Sequence, residues 1–156
     1  MGTLRYAVFA ERYYGKLPFA FLGNLNGNDG YYFNPNANNL MYRFEYLADR
    51  YAGFKLEQHF GQGIFRLTKF TRKLKWSQFW SLRTTWSDLS EENKNYNKSG
   101  NFFKTLDGKP YTELGTGIEN IFRVLRIDFI WRLSPQPLPS ARESRFGIFG
   151  SFRFRL

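Results

Sequence analysis

The amino-acid sequence predicts an all-β fold, an antiparallel meander of about seven strands that forms the C-terminal part of a transmembrane outer-membrane β-barrel. Three observations lead to this prediction. Apolar and polar residues alternate with a period of two along most of the chain. Aromatic residues make up 21% of the sequence and are interleaved with 23 Lys and Arg. The chain closes on one more two-faced strand, as outer-membrane barrels do.

The alternating segments have the length expected of membrane-spanning strands. In chain order they are 4–11, 40–48, 52–60, 76–86, 112–119, 126–133 and 146–156. In each of them one face is mostly apolar and the other carries most of the polar and charged residues. We therefore expect residues 1–156 to form a single barrel segment.

The connections between these strands are of three kinds. Residues 15–39 form an irregular connection rich in Asn and Gly, whose apolar start predicts packing either against or inside the barrel. Residues 87–109 and 134–145 are polar or rich in Pro, and we expect them to be extracellular loops. Residues 67–74 and 120–125 are short and amphipathic, and we expect one helical turn in each, on the periplasmic side.

The terminal strand is a candidate insertion signal and seam strand. Its apolar face carries five large side chains: Phe146, Ile148, Phe152, Phe154 and Leu156. Soluble domains rarely end on such a strand, because chain ends usually fray in water. In a barrel the same pattern faces lipid, and the carboxyl end is read by the insertion machinery.

Tryptophans predict an aromatic girdle at each membrane surface. Trp76 and Trp86 lie ten residues apart on one face, about 33 Å along a strand. A strand tilted by about 40° reduces this to roughly 25 Å, the height of the apolar band of a barrel. Trp131 is assigned to the same girdles. The alternative is a sandwich core strand that carries the same tryptophans.

Charged residues of both signs occupy the opposite faces, and we expect them to line the lumen. They are Arg43, Glu45, Lys55, Glu57, Glu113, Glu119, Arg126, Asp128, Arg132, Arg153 and Arg155. Opposite charges on neighbouring strands stabilise a polar interior, whereas the same side chains facing lipid are costly. Two alternatives have the same alternation: the solvated face of a soluble sheet, and a lipocalin-like barrel with the faces reversed.

Several kinds of chemistry are not expected. The chain has no cysteine and one histidine, so it lacks thiolate sites and a histidine cluster for a metal. His59 has no surrounding acid and serine pattern, and we expect it to be structural rather than catalytic. We therefore expect a non-enzymatic protein without a cofactor or a metal. The first residues enter a strand without a signal peptide, which predicts a fragment of an exported protein.

Four segments carry a resemblance to a known family: 39–51 (NLMYRFEYLADRY), 56–61 (LEQHFG), 88–93 (DLSEEN) and 110–133 (PYTELGTGIENIFRVLRIDFIWRL). They resemble the C-terminal barrel of outer-membrane proteins with an N-terminal carboxypeptidase-regulatory-like domain, which are similar in turn to the surface-antigen and barrel-assembly superfamily. The family's sandwich domain and first barrel strands have no counterpart here, and Ser151 and Leu156 stand where its terminal signal usually has Gly and an aromatic residue.

The resemblance implies a location in the outer membrane of a Gram-negative bacterium and a role in envelope transport, outer-membrane protein assembly or surface display. The expected partners are outer-membrane lipids, the barrel-assembly machinery during insertion, and further N-terminal strands or a partner chain that closes the barrel. No nucleic acid is expected. Two alternatives stay open: a soluble, basic, aromatic-rich β-domain that binds single-stranded nucleic acid, and a lipocalin-like carrier of an apolar ligand.

Overall fold

The computed structural model describes residues 2–97, 104–135 and 145–152, and it confirms the all-β, antiparallel prediction. Eight strands are present in this part of the chain: β1 (Thr3–Arg12), β2 (Gly23–Asn24), β3 (Leu47–Ala48), β4 (Arg50–Gly61), β5 (Ser77–Asp88), β6 (Pro110–Ile121), β7 (Leu125–Ser134) and β8 (Phe146–Phe152). Six of them form one sheet in the order β1-β4-β5-β6-β7-β8, and β2 pairs with β3 in a small second sheet. The large sheet is open, with β1 and β8 at its edges.

Alternate connections of the large sheet lie at opposite ends. At one end, named the turn end, are a 3₁₀ helix at Gly63–Arg66, helix α1 (Lys69–Leu74) and the tight turn between β6 and β7. At the other, named the loop end, β5 and β7 end and β6 and β8 begin, and helix α2 (Glu91–Tyr96) follows β5. The strands that flank the predicted long loops therefore meet them at one end, and the predicted short connections lie at the other.

One of the two predicted helical turns is present. Thr68 caps α1 by accepting a hydrogen bond from the Thr71 N–H, and the helix ends at Lys75, whose φ of 56° is left-handed. The second prediction, at 120–125, is wrong. Phe122 and Arg123 have φ values of 49° and 72°, so the backbone there turns sharply between two paired strands instead of forming a right-handed helical turn.

The predicted strand at 40–48 is wrong except for β3 at its end. Residues 40–46 form turns and bends, and Phe44 has a φ of 60°, which no strand residue adopts. Leu40, Met41 and Leu47 are all buried, although a strand would place Met41 on the opposite face from Leu40. The alternation in the sequence arises here from a folded segment with neighbours on several sides.

Residues 13–49, named the internal segment, pack over one face of the large sheet. Leu25, Met41 and Tyr46 form a buried cluster with Leu106 and Tyr111. A second cluster joins Leu40 to Ile130 and Phe149 on β7 and β8, with Phe33 packed against it. The described chain therefore shows this segment packed on one face of the sheet, and whether that face is the inside of a barrel stays a prediction.

In its described residues the chain contains no helix with the length and hydropathy needed to cross a membrane.

Candidate functional site

The two faces of the large sheet differ in composition and in burial. One, named the apolar face, is uncovered: Val8 is 78% exposed, Trp80 54% and Ile148 56%. Its large apolar side chains, assigned from alternation along each strand, are Leu4, Tyr6, Val8, Phe54, Leu56, Phe60, Trp80, Leu82, Trp86, Leu114, Ile118, Leu125, Ile127, Phe129, Trp131, Leu133, Phe146, Ile148 and Phe152. The same alternation places three charged residues of the described strands on it, Arg12, Arg50 and Asp88, all at the loop end.

The predicted girdle tryptophans lie on this side of the molecule. Trp86 is at the loop end of β5 and Trp131 faces the same way on β7. Trp76 is half-buried one residue before β5, at the turn end, where it contacts Phe65 edge-on with ring centroids 5.7 Å apart. Strand register places Trp131 beside Leu114, and Leu114 beside Leu82, which is four residues from Trp86. The tryptophans therefore occupy different heights of one face.

The predicted terminal strand is partly described. Phe146, Ile148 and Phe152 lie on the apolar face of β8. Phe154 and Leu156 lie outside the described residues, as do Arg153 and Arg155, which were predicted to line the lumen.

The opposite face, named the polar face, is covered by the internal segment over β5, β6 and β7, whereas its β1 edge is exposed. Its charged and histidine side chains are Arg5, Glu11, Lys55, Glu57, His59, Arg83, Glu113, Glu119, Arg126, Asp128 and Arg132. All seven of the predicted lumen residues that lie in described strands belong to this set. Several are completely buried, among them Glu113, Asp128 and Arg132, each at 1% exposure.

Arg43 and Glu45 were predicted to share this face as part of a strand, and that position is wrong for both. They lie in the internal segment, because residues 40–46 are not extended. Glu45 nevertheless reaches the polar face, where Arg132 donates a hydrogen bond of 3.2 Å to it. Arg43 points away and forms an exposed ion pair with Asp29 instead.

One buried network joins five polar-face residues of β4, β6 and β7. Arg126 donates hydrogen bonds of 2.9 and 2.7 Å to the two carboxylate oxygens of Asp128 and one of 2.7 Å to Glu57. His59 lies between two carboxylates, with Nε2 2.6 Å from Glu57 and Nδ1 2.9 Å from Glu119. Arg126 and His59 thus each contact two of the three acids, and these hydrogen bonds lower the cost of burying the charged groups.

Arg126 is also held by stacking. Its guanidinium carbon lies 3.7 Å from the ring centre of Phe79 and 4.6 Å from that of Phe33 in the internal segment. The Phe79 ring in turn lies over Gly117, where an added Cβ would approach it to 2.6 Å. Glycine at this position of β6 therefore makes room for the ring that supports Arg126.

Glu113 attaches the internal segment to the sheet. Its carboxylate accepts hydrogen bonds from the backbone N–H groups of Asn39 and Leu40, at 2.9 and 2.7 Å, and from the Tyr111 hydroxyl at 2.9 Å. A buried carboxylate needs such donors, and here two of the three come from the internal segment. The position of that segment therefore depends on one acidic side chain of β6.

Two arginines complete the attachment. Arg83 donates to the carbonyl oxygens of Asn34 and Ala37, and its guanidinium also stacks on Phe33 with a carbon-to-ring distance of 4.9 Å. Arg132 donates a hydrogen bond of 2.8 Å to the hydroxyl of Tyr46. The sequence predicted the face of the charges on the strands, but not these partners, which are backbone groups and a tyrosine from a distant segment.

A separate cluster fixes the loop end. Asp49 accepts hydrogen bonds of 2.9 Å from the Ser90 N–H and from the side-chain amide of Asn93 in α2. Asn93 also donates to the Gly15 carbonyl and accepts from the Leu17 N–H. Burial raises the pKa of Asp49, but the hydrogen bonds from Ser90 and Asn93 outweigh it and hold the pKa below its ordinary value.

We expect Asp49→Asn to lower the free energy of unfolding by about 1–2 kcal/mol at neutral pH, because it removes the charge from two buried hydrogen bonds. A carboxylate whose pKa is depressed by folding stabilises the protein above its unfolded pKa, and this contribution is lost as the pH falls. The difference between the two proteins should therefore shrink below about pH 4. Urea unfolding in detergent as a function of pH measures it.

Glu92→Gln is the matched control for that series. Glu92 lies in the same helix as Asn93, the partner of Asp49, but its side chain is 56% exposed. It should change stability by no more than about 0.5 kcal/mol at any pH. A deficit in Asp49→Asn that persists unchanged in acid would contradict the assignment to the Asp49 charge.

His59 and the acidic side chains of the buried network form structural contacts. Both ring nitrogens of His59 are occupied by carboxylates, so neither is available to activate a hydroxyl nucleophile. Within the ranges that the structure describes, no three His, Asp or Glu side chains are grouped as metal ligands.

The fold and the site define the class of protein by its geometry. It is an antiparallel sheet with an exposed apolar face and a charged face that is buried where the chain's own internal segment covers it. Comparison with protein-family models, with curated proteins and with solved structures found no match.

Proposed function

We propose that the chain is a membrane-spanning segment of a non-enzymatic outer-membrane β-barrel. The observation that supports the proposal most strongly is the reversal of the two faces. In a water-soluble sheet the apolar face is covered and the charged face is solvated, whereas here the polar-face charges of β5, β6 and β7 are buried and the apolar face is exposed. Lipid is the environment in which that arrangement is stable.

The internal segment has the position of a plug in this proposal. It covers the polar face over β5, β6 and β7 and forms hydrogen bonds with Glu113, Arg83 and Arg132 through its backbone and side chains. In a barrel this face lines the lumen, so the segment lies inside and narrows the channel. A narrowed lumen fits assembly or surface display, or transport that moves the plug, better than free diffusion.

In this proposal the edge strands β1 and β8 need further strands as pairing partners. An unpaired strand edge exposed to hydrocarbon leaves backbone N–H and C=O groups without partners, at several kcal/mol for each. We propose that strands from the same polypeptide or from a partner chain pair with both edges, which closes the barrel. The barrel-assembly machinery then acts on the barrel during insertion, and the location is the outer membrane of a Gram-negative bacterium, in line with the resemblance in the sequence.

The geometry disfavours both alternatives. A single-stranded nucleic-acid platform needs exposed aromatic and cationic side chains on the same surface. The exposed Trp80 lies on the face opposite Arg83 and Arg126, and Phe79, on which Arg126 stacks, is buried. A lipocalin-like carrier encloses its aromatic face around the ligand, whereas this aromatic face is exposed.

Two adjacent positions of β1 test the proposal. Val8 lies on the apolar face and Ala7 on the polar face, both are exposed, and the chain has no native cysteine. Val8→Cys and Ala7→Cys, each labelled with the fluorophore NBD, are folded into phosphatidylcholine vesicles. We expect blue-shifted emission that is quenched by spin-labelled lipid for position 8, and water-like emission without such quenching for position 7.

The two labelled variants serve as controls for each other. Both labels lie on β1 at nearly the same height in the membrane, and both proteins are studied in the same vesicles. Equal, water-like emission from both positions in protein recovered with the vesicles would overturn the membrane-spanning proposal.

A further inference from the structure

The connection between β4 and β5 combines strong positive charge with exposed apolar side chains. Residues 61–76, named the basic connection, contain five cations and no acid: Arg66, Lys69, Arg72, Lys73 and Lys75. All five are exposed, and none of them forms an ion pair in the described part of the chain. Arg123 in the β6–β7 turn adds a sixth exposed cation at the same end.

Large apolar side chains recur every three or four residues along this connection. Ile64, Leu67 and Phe70 are 59%, 83% and 75% exposed, and Leu74 follows one helical turn after Phe70. Phe122 in the neighbouring turn is 83% exposed. Such side chains are unfavourable in water when clustered, which marks the surface as one that contacts another phase or molecule.

The shape of this surface is fixed by contacts within the basic connection and by one hydrogen bond from the neighbouring turn. Gln62 donates a hydrogen bond of 3.0 Å to the Arg72 carbonyl, and Asn120 donates one of 2.8 Å to the Lys75 carbonyl. Phe65 packs edge-on against Trp76, at the turn end of the apolar face. The cations and the apolar side chains are therefore held in place beside the edge of that face.

We propose that the basic connection lies in the membrane interface and binds the headgroups of anionic phospholipids. This inference rests on the proposed membrane-spanning function, because that function places the turn end of the apolar face at a membrane surface. An amphipathic segment with Lys and Arg beside Leu, Ile and Phe inserts its apolar side chains into the headgroup region, and its cations attract anionic lipid. Short connections of barrels are periplasmic, so the lipid is a phospholipid of the periplasmic leaflet.

The aliphatic side chains of this surface favour lipid over RNA as the occupant. Six cations suit any anionic polymer or surface and Phe70 and Phe122 could stack on bases, but the exposed Ile64 and Leu67 have no flat ring for a base. Aliphatic side chains gain from contact with acyl chains instead.

Trp76 reports on this interface directly. A protein that keeps only this tryptophan, through Trp80→Phe, Trp86→Phe and Trp131→Phe, is folded into phosphatidylcholine vesicles containing an equal, small fraction of brominated phosphatidylglycerol or brominated phosphatidylcholine. We expect brominated phosphatidylglycerol to quench Trp76 more strongly, because the cations enrich it locally. The ratio of the two quenching constants should fall towards one in high salt, which screens exposed charges.

Two double variants distinguish the effect of the charge in the basic connection from the effect of the net charge of the protein. Lys69→Gln with Lys73→Gln should lower the enrichment strongly, since each cation near a membrane surface contributes about fivefold. Lys16→Gln with Lys109→Gln removes the same charge at the loop end and should leave the ratio unchanged.

The outcomes are distinguishable. If neither brominated lipid quenches Trp76, the membrane-spanning proposal itself fails and this inference fails with it. If both quench equally at low salt, the protein is in the membrane but the basic connection has no preference for anionic lipid, which overturns this inference alone. If fluorescent oligouridine binds to the reconstituted protein through Lys69 and Lys73 while the quenching ratio stays at one, the occupant is RNA and the inference is likewise overturned.

Discussion

Glu113→Ala is expected to release the internal segment from the sheet and to cost about 3–5 kcal/mol of stability. The substitution leaves two backbone N–H groups and the Tyr111 hydroxyl without their buried acceptor. It also removes the negative charge that faces Arg83 across the β5–β6 pair, and a buried charge left without its counter-charge is strongly destabilising.

Amide hydrogen exchange at Asn39 and Leu40 measures this release. Both amides should exchange at least a hundredfold faster in the variant, because each 1.4 kcal/mol of lost protection corresponds to a factor of ten. Glu113→Gln should show an intermediate effect, since its amide group still accepts at one oxygen but presents a donor where the second acceptor was.

Glu119→Gln is the matched control for this experiment. Glu119 lies on the same strand and face and is equally buried, but it contacts His59 rather than the amides of Asn39 and Leu40. It should leave those two amides protected. Equal loss of protection in both variants would mean that the whole sheet has been destabilised and that Glu113 has no special role in holding the internal segment.

Leu114→Arg is expected to destabilise the membrane-embedded protein by about 2–4 kcal/mol, the cost of a cation on the lipid face near the bilayer centre. Leu114 lies in the middle of β6 on the apolar face, beside Leu82 and Trp131. It is 38% exposed, so the longer side chain has room and the penalty arises from lipid rather than from overpacking. Unfolding by urea from vesicles measures the loss.

The same substitution separates the membrane proposal from a soluble sheet whose apolar face is in water. At a water-exposed position of a soluble sheet, Leu114→Arg should change stability by no more than about 0.5 kcal/mol. Leu114→Phe, which keeps the position apolar, should be close to neutral in lipid. If the arginine and phenylalanine variants are equally stable in vesicles, position 114 does not face hydrocarbon.

The strands and their faces were predictable because period-two alternation encodes both directly. In β6, for example, Glu113 and Glu119 share one face and Leu114 and Ile118 the other, and the structure places them so. At 40–46 the alternation led to a wrong prediction, because the backbone turns there and both even-numbered and odd-numbered side chains are buried. A period of two in the sequence indicates that successive side chains alternate between apolar and polar surroundings. A folded segment between a sheet and its loops can show the same alternation without being a strand.

The partners of the polar face were not predictable for a different reason. Glu113 is 74 residues from Asn39, and His59 is 60 residues from Glu119. Such pairs are created by strand register and by the path of the internal segment, neither of which leaves a local pattern. Backbone N–H groups are also present in almost every residue, so a sequence gives no sign of which of them will meet a buried carboxylate.

The free edge of β8 is already engaged at one point. The Gly150 N–H donates to the Tyr31 carbonyl, and the Gly150 carbonyl accepts from the Phe33 N–H at 2.9 Å. A strand paired along the whole of this edge would need the same two backbone groups, so the two arrangements exclude each other. Strand pairing at β8 and the position of residues 31–33 are therefore thermodynamically linked: whatever favours one must, to the same extent in free energy, disfavour the other.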